Sequence, residues 1–118
     1  MYLVKTPEVL KPLAGDLLWN ESRDKRVIYL TFDDGPTESI TLEIIDILKE
    51  YKALGTFFCI GGNVLRFPKA YQALLDAGHK TANHTWNHMN GWEFSDYSYL
   101  KSVLECERLV GSKLFRPP

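Results

Sequence analysis

Four apolar runs divide the chain, and polar or turn-forming residues follow each of them. The first run, residues 27–32, is rich in β-branched and aromatic side chains and stops at Asp33. It predicts a strand buried on both faces, as strands of parallel sheets usually are. Residues 56–60 predict a second strand, residues 79–83 a third, and residues 114–115 the start of a fourth.

Stretches with helical periodicity separate these strands. Residues 39–52 carry apolar side chains at helical spacing, and Pro68 opens a second stretch that ends at Gly78. A third helix is predicted from Ser95, a residue type common at N-caps, to Val110. The alternation of strands and helices predicts an α/β fold with a parallel sheet.

The two ends of the chain carry weaker patterns. Residues 17–19 could form a short strand, and residues 1–26 are predicted to pack as an extension on a domain formed by residues 27–118. The fourth strand is cut off at Pro118, and no helix follows it. Because parallel strands need neighbours on both sides, we expect the front part of a larger domain, truncated at its C-terminus. Its exposed sheet edges could support self-association.

Composition narrows the choice of function. The chain has 118 residues and a formal net charge of −1, which argues against nucleic acid as a partner. The sequence contains no run of about eighteen apolar residues, so no membrane-spanning helix is predicted. The N-terminus lacks the unbroken apolar stretch of a secretory signal, so the cytoplasm is the default location. Cys59 and Cys106 lie among apolar residues and are predicted to be buried thiols, not a disulfide.

Potentially reactive side chains follow three of the predicted strands. Asp33 and Asp34 follow the first strand, His84 and His88 the third, and Arg116 the fourth. In parallel α/β folds, ligands bind at the carboxyl ends of the strands. We therefore expect these groups to share one site.

Each cluster also has a plainer interpretation. Residues 33–36, Asp-Asp-Gly-Pro, are a common turn sequence, although one carboxylate could bind a metal while the other accepts a proton. His84 and His88 are four residues apart, so they could hold zinc or a first-row neighbour, or they could be unrelated surface histidines. Arg116 is either a surface cation or the residue that orients a catalytic carboxylate.

Three aromatic or imidazole side chains near these clusters receive separate predictions. His79 is expected to start a strand with a local hydrogen bond, rather than to bind a metal. Trp86 and Trp92 could each pack beneath the site or offer a ring to a sugar; packing is favoured for Trp86 and the sugar contact for Trp92.

Three motifs, in this order, resemble those of the polysaccharide deacetylases, the NodB-homology enzymes of carbohydrate esterase family 4. Residues 31–36, Thr-Phe-Asp-Asp-Gly-Pro, are similar to the first motif, and residues 84–88, His-Thr-Trp-Asn-His, to the second. Residues 115–118, Phe-Arg-Pro-Pro, resemble the start of the third. Residues 56–58 resemble the strand between the first two motifs, and the likeness extends from about Val27 to the C-terminus.

The resemblance implies the front part of a distorted (β/α) barrel and a metal-dependent hydrolase. Such an enzyme removes acetyl groups from an N- or O-acetylated polysaccharide or oligosaccharide. By analogy, Asp33 would be the general base and Arg116 its partner, while Asp34, His84 and His88 would bind the metal, with zinc as the expected ion. Because many members of the family work at cell envelopes, that location is the alternative to the cytoplasm.

The sequence also departs from the family pattern. The third motif lacks its final glycine, and the fourth and fifth motifs, including the histidine that acts as catalytic acid, are absent. Activity of these 118 residues alone is therefore an open question. Two alternatives remain: a non-catalytic remnant that binds metal or sugar, and a non-haem iron oxygenase with two histidines and one carboxylate.

Overall fold

A computed structural model of the protein describes residues 9, 11, 12, 15, 17–19, 21, 22 and 24–118. Three parallel strands lie in the order β1 (Leu30–Phe32), β2 (Gly55–Cys59) and β3 (Lys80–Asn83). Leu30 is in register with Gly55, and Thr56 with Lys80. The predicted α/β fold with a parallel sheet is confirmed.

Four helices connect and follow these strands in the described part of the chain: α1 (Ile40–Glu50), α2 (Gly61–Arg66), α3 (Pro68–Asp76) and α4 (Asp96–Val110). The bounds of α1, α3 and α4 agree closely with the prediction, whereas α2 was not predicted. Ser95 caps α4 as expected, because its Oγ accepts a hydrogen bond from the Ser98 backbone N–H at 3.3 Å. Gly111 ends α4 in the left-handed conformation, with φ of 69°.

The first strand is shorter and more exposed than its sequence suggests. Residues 27–29 stay outside the sheet, and the side chain of Ile28 is 85% exposed. Among the described residues, β1 pairs with β2 alone, so it is an edge strand. The prediction that residues 27–32 form a strand buried on both faces is therefore wrong. An apolar run is buried only where another element covers it, and that element is not encoded locally.

Two other predicted strands are absent from the described structure. Residues 17–19 pair with no described residue, so the strand prediction there is wrong. Phe115 makes a single parallel bridge to Asn83 in place of a fourth strand. Two backbone hydrogen bonds flank this bridge, from Asn83 N to Leu114 O at 2.9 Å and from Arg116 N to Asn83 O at 3.0 Å. The C-terminal segment is thereby tied to the end of β3.

The core lies between β2 and the four helices. One cluster contains the buried apolar side chains Ile45, Leu48, Phe57, Cys59, Val64, Leu74, Cys106 and Val110. Burying an aliphatic or aromatic side chain of this size contributes about 1.5–3 kcal/mol each. Cys59 and Cys106 are free, buried thiols, as predicted. Burial, with a smaller effect of neighbouring Cys106, raises the pKa of Cys59 to about 12.

Several predictions concern parts of the chain or properties that the structure does not test. The extension formed by residues 1–26 falls largely outside the described residues, so its packing on residues 27–118 stays a prediction. Self-association through the exposed edge of β1 also stays a prediction. No helix among the described residues has the length and apolar character needed to cross a membrane.

Candidate metal and catalytic site

Two loops and one terminal segment meet at the carboxyl edge of the sheet. The aspartate loop, residues 33–36, follows β1, and the histidine loop, residues 84–89, follows β3. Because the strands are parallel, β1 and β3 end at the same edge of the sheet on either side of β2, and their two loops meet there. With the segment after the Phe115 bridge, they bring together the five residues singled out in the sequence: Asp33, Asp34, His84, His88 and Arg116.

A carboxylate and two imidazoles converge on one point. Asp34 Oδ1 lies 3.2 Å from His84 Nε2 and 3.1 Å from His88 Nε2. One potential ligand atom from each residue lies within 4.8 Å of the other two. Atoms bound to one tetrahedral zinc at 2.0–2.2 Å are about 3.4 Å apart, so these three residues suit a single ion with little rearrangement. Nitrogen donors with one carboxylate oxygen also match the preference of zinc and its neighbours.

The buried histidine of this cluster has a fixed orientation. His84 is 3% exposed, and its Nδ1 lies 2.8 Å from the backbone oxygen of Arg116. Since a carbonyl oxygen can only accept, Nδ1 is the donor of this bond, and in the neutral ring Nε2 is then the nitrogen with the free lone pair. This is the tautomer that a metal needs, and a backbone carbonyl is a common partner for the second nitrogen of a ligating histidine.

Both loops contain non-glycine residues in the left-handed conformation. The φ angles are 68° at Asp34, 65° at Thr85 and 56° at His88. Such conformations cost about 1–3 kcal/mol and persist where the surroundings hold them, often at functional sites. The Asn63 side-chain amide supplies one support, because its Nδ2 donates to the Asp34 backbone oxygen at 2.8 Å. The sequence around Asn63 does not predict this role, because the two glycines before it favour a turn after β2.

Asp33, the residue before Asp34 in the chain, forms an ion pair with Arg116. Arg116 Nη1 donates to Asp33 Oδ1 at 2.8 Å and to Thr31 Oγ1 at 3.1 Å. The Arg116 guanidinium also lies over the Phe58 ring, 4.0 Å from its centroid. Arg116 makes one hydrogen bond to Asp33 and not a bidentate pair. This bond still fixes the direction in which the carboxylate points. The pairing was suggested from the sequence, and the chemical roles of all five residues stay predictions.

The remaining side chains separate into structural and exposed ones. His79 lies one residue before β3 and not at its first position as predicted, and its hydrogen bond is not local, since Nδ1 accepts from the Gly55 N–H at 3.3 Å. Trp86 packs as predicted, and so closely that a Cβ on Gly61 would lie 2.6 Å from its ring. Trp92 is 97% exposed, and its contact with a sugar stays a prediction.

Comparison with known proteins identifies the family. A sequence model of the polysaccharide deacetylase family matches residues 20–118. The chain belongs to the polysaccharide deacetylase family. The motif residues that suggested this family are also those that the fold gathers at one edge of the sheet.

Individual relatives in this family are of moderate similarity. A peptidoglycan-N-acetylglucosamine deacetylase of Bacillus cereus is 36% identical over an alignment of 110 residues that covers 89% of this chain and 52% of that protein. A chitooligosaccharide deacetylase of Rhizobium leguminosarum bv. trifolii is 46% identical over 65 residues, 55% of this chain and 30% of that protein. The structure of peptidoglycan deacetylase PdaC from Bacillus subtilis superposes with a TM-score of 0.72 at 36% identity, over 80% of this chain and 50% of that one. The chain thus spans about half the length of the Bacillus cereus enzyme and of the PdaC structure.

Proposed function

We propose that the protein is a metal-dependent hydrolase that removes acetyl groups from an acetylated glycan. The observation that carries this proposal is the arrangement of Asp34, His84 and His88 around one point, with the Asp33–Arg116 pair beside it. A metal-binding module has no need of a second, separately oriented carboxylate. The pair Asp33 and Arg116 therefore favours catalysis over binding alone.

The metal would be held by Asp34 Oδ1 and by Nε2 of His84 and His88. Zinc is the expected ion, because two imidazole nitrogens and one carboxylate oxygen leave a coordination position open, as in other catalytic zinc sites. A divalent ion bound here would lower the pKa of a water molecule and polarise an acetyl carbonyl. The hydrogen bond from His84 Nδ1 to the Arg116 backbone would keep this ring in the ligating tautomer.

Asp33 is proposed as the general base. Its neighbour Asp34 turns toward the histidines, while Asp33 Oδ1 accepts from Arg116 Nη1 at 2.8 Å. Arg116 fixes the direction of this carboxylate, so that Asp33 could take a proton from the attacking water. Arg116 acts as a positioning residue, because it holds Asp33 and is not required to touch the substrate.

The proton for the leaving amine would come from outside these 118 residues. His84 and His88 are assigned to the metal, and His79 is buried at the opposite end of β3. We propose that the chain forms the front part of a (β/α) barrel whose remaining part supplies this acid. The lengths of the relatives support the proposal, since the chain spans about half of them.

The substrate is proposed to be a glycan that contains N-acetylglucosamine. Support comes from the printed activities of the relatives, one named for peptidoglycan and one for chitooligosaccharide. Trp92, four residues after His88 and almost fully exposed, would contact a sugar ring that lies beyond the acetyl group at the site. A peptidoglycan substrate would place the protein at the cell envelope.

Acetate release from N-acetylglucosamine oligomers and from peptidoglycan tests this function. The protein is assayed at its natural length with zinc, after treatment with EDTA, and after zinc is restored. We expect release with zinc, loss with EDTA, recovery with zinc, and the same rate without oxygen. Zinc binding without acetate release would favour the non-catalytic alternative. A requirement for oxygen and a reductant would favour the oxygenase.

A further inference from the structure

Helix α4 contacts the histidine loop through a buried hydroxyl. The Trp86 backbone N–H donates to Ser102 Oγ at 2.9 Å, and Ser102 Oγ donates to Asn87 Oδ1 at 3.0 Å. Ser102 is 5% exposed, and these two contacts use both its acceptor and its donor function. Trp86 and Asn87 are the second and third residues after His84, and His88 follows them. The Ser102 hydroxyl therefore forms hydrogen bonds with the part of the loop that lies between the two histidines.

A second contact from the same helix reaches the residue before the loop. The Asn83 side chain donates from Nδ2 to the Val103 backbone oxygen at 2.8 Å, and its Oδ1 accepts from the Thr85 N–H at 2.9 Å. Asn83 is 1% exposed. Ser102 and Val103 are adjacent in α4, so one turn of this helix holds both the start and the middle of the loop.

The loop needs such support because its backbone is strained. Thr85, which is β-branched, and His88 both have positive φ angles, at 65° and 56°. Each such residue costs about 1–3 kcal/mol relative to an ordinary conformation. If the contacts that hold the middle of the loop were lost, the backbone could relax, and the separation of the two imidazoles would change with it. The affinity for a single metal ion depends on the distance between the two Nε2 atoms.

We propose that Ser102 is a positioning residue that sets the geometry of His84 and His88 for metal binding. Ser102 touches neither imidazole and acts through the backbone of Trp86 and the side chain of Asn87. The proposal rests on the proposed metal-dependent function, and it adds α4 to the elements that build the site. Groups that support metal ligands indirectly typically contribute about 10–100-fold to metal affinity.

Zinc affinity of Ser102→Ala, measured by competition with a chelating dye, tests the proposal. We expect affinity to fall about tenfold, and the visible absorption of the cobalt-loaded protein to change, since cobalt spectra report ligand geometry. Asn87→Ala removes the hydrogen bond between Ser102 and Asn87 by changing the exposed partner, and it should give an intermediate loss of zinc affinity. If Ser102→Ala does not fold, the zinc affinity of Asn87→Ala tests the proposal instead.

Two control variants separate positioning from stability. Ser98→Ala makes the same chemical change on the exposed part of α4, where Ser98 contacts Ser95 and not the histidine loop. Val110→Ala removes two methyl groups from the core at the other end of α4 and lowers stability. Both should bind zinc as the wild type does.

The outcomes also separate this proposal from the proposed function. Unchanged zinc affinity and cobalt spectrum in Ser102→Ala and Asn87→Ala would overturn the positioning role, while zinc binding by the wild type would leave the function intact. An equal loss of affinity in Val110→Ala would overturn it too, since stability alone would then explain the effect. Absence of zinc binding in the wild type would overturn both proposals.

Discussion

The aspartate loop and the histidine loop approach the same point from different surroundings. In the histidine loop, His84 is 3% exposed and Thr85 is fully buried, and the loop bonds to β2, to α4 and to the C-terminal segment. In the aspartate loop, the Asp34 side chain is 65% exposed. That loop is held by three polar contacts: the Asn63 amide on the Asp34 backbone, the Ile60 N–H on the Gly35 oxygen at 2.9 Å, and Arg116 on the Asp33 carboxylate at 2.8 Å.

The position of the two strands in the sheet explains this difference. β3 has β2 on one side and the Phe115 bridge on the other, whereas β1 has β2 as its one partner in the described structure. A loop that follows an enclosed strand is held by the core, and a loop that follows an edge strand is held by a few polar contacts. Changes at the buried positions of the histidine loop should therefore lower stability as well as metal affinity, whereas changes to the exposed side chains of the aspartate loop should affect metal binding or catalysis with little loss of stability.

The largest expected effect comes from replacing the two histidines separately. His84→Ala and His88→Ala should each weaken zinc binding by more than about 100-fold, because each removes a ligand. His84→Ala should also lower the free energy of unfolding by roughly 1–3 kcal/mol, since it leaves the Arg116 carbonyl without its partner. His88, whose side chain is 50% exposed, should cost little stability. Zinc competition and urea unfolding of the metal-free proteins measure the two effects, and equal stability losses would contradict the difference in burial between the two histidines.

Removing the cation that holds Asp33 should have a smaller effect. Arg116→Ala should lower acetate release by about tenfold to a hundredfold, because a hydrogen bond to a charged group is worth about 1.5–3 kcal/mol. Zinc affinity should stay the same, since His84 bonds to the Arg116 backbone and not to its side chain. Arg66→Ala is a matched control, because this guanidinium also lies over a ring, that of Phe67 at 5.2 Å, away from the site. A loss of zinc binding in Arg116→Ala would contradict the assignment.

A modest effect is expected from the exposed indole beside the histidine loop. Trp92→Ala should raise KM for N-acetylglucosamine oligomers by about two- to tenfold, with kcat almost unchanged, because ring contacts are worth about 0.5–1.5 kcal/mol. Steady-state kinetics on oligomers of increasing length measure this. The control is Tyr51→Ala, which removes another exposed ring after α1. Identical kinetics in Trp92→Ala and wild type would remove Trp92 from the sugar surface.

The smallest effect concerns a histidine at the other end of β3. Burial lowers the pKa of His79 below its ordinary value near 6.5, and its Nε2 has no hydrogen-bond partner. The unfolded chain therefore binds a proton more readily there, so the stability linked to neutral His79 is present above pH 6.5 and is lost as pH falls toward the lowered value. His79→Gln should lose less unfolding free energy than wild type between pH 7.5 and 5.5, both without metal. Urea unfolding at the two pH values measures these losses, and an equal loss in the two proteins would contradict the prediction.

The sequence predicted the elements of the fold best where local patterning and tertiary burial agree. The helices at residues 40–50 and 96–110 have apolar faces that pack in the core, and Ser95 caps the second one. The approach of Asp34 to His84 followed from strand order, because parallel strands end at one edge. The exposure of residues 27–29 could not be predicted, since it depends on which neighbours a strand has.

The parts that escaped prediction depend on contacts between distant residues. Helix α2 begins with two glycines, and its first N–H groups bond to the histidine loop, Gly61 N to Thr85 O at 3.0 Å and Gly62 N to Trp86 O at 2.8 Å. These partners lie more than twenty residues along the chain, so Gly-Gly-Asn alone indicated a turn. Asn63 and Ser102 act on loops far from them in sequence, and nothing in their local pattern marks them.

The most direct test of the account is Asp33→Asn, measured for acetate release and zinc affinity in the same preparation. The substitution keeps the size of the side chain and removes its capacity to take a proton. We predict that turnover falls by about 10²–10⁴-fold while zinc affinity stays within about twofold of wild type. Retained turnover would contradict the role of Asp33 as the base, and lost zinc binding would contradict the division of labour between Asp33 and Asp34.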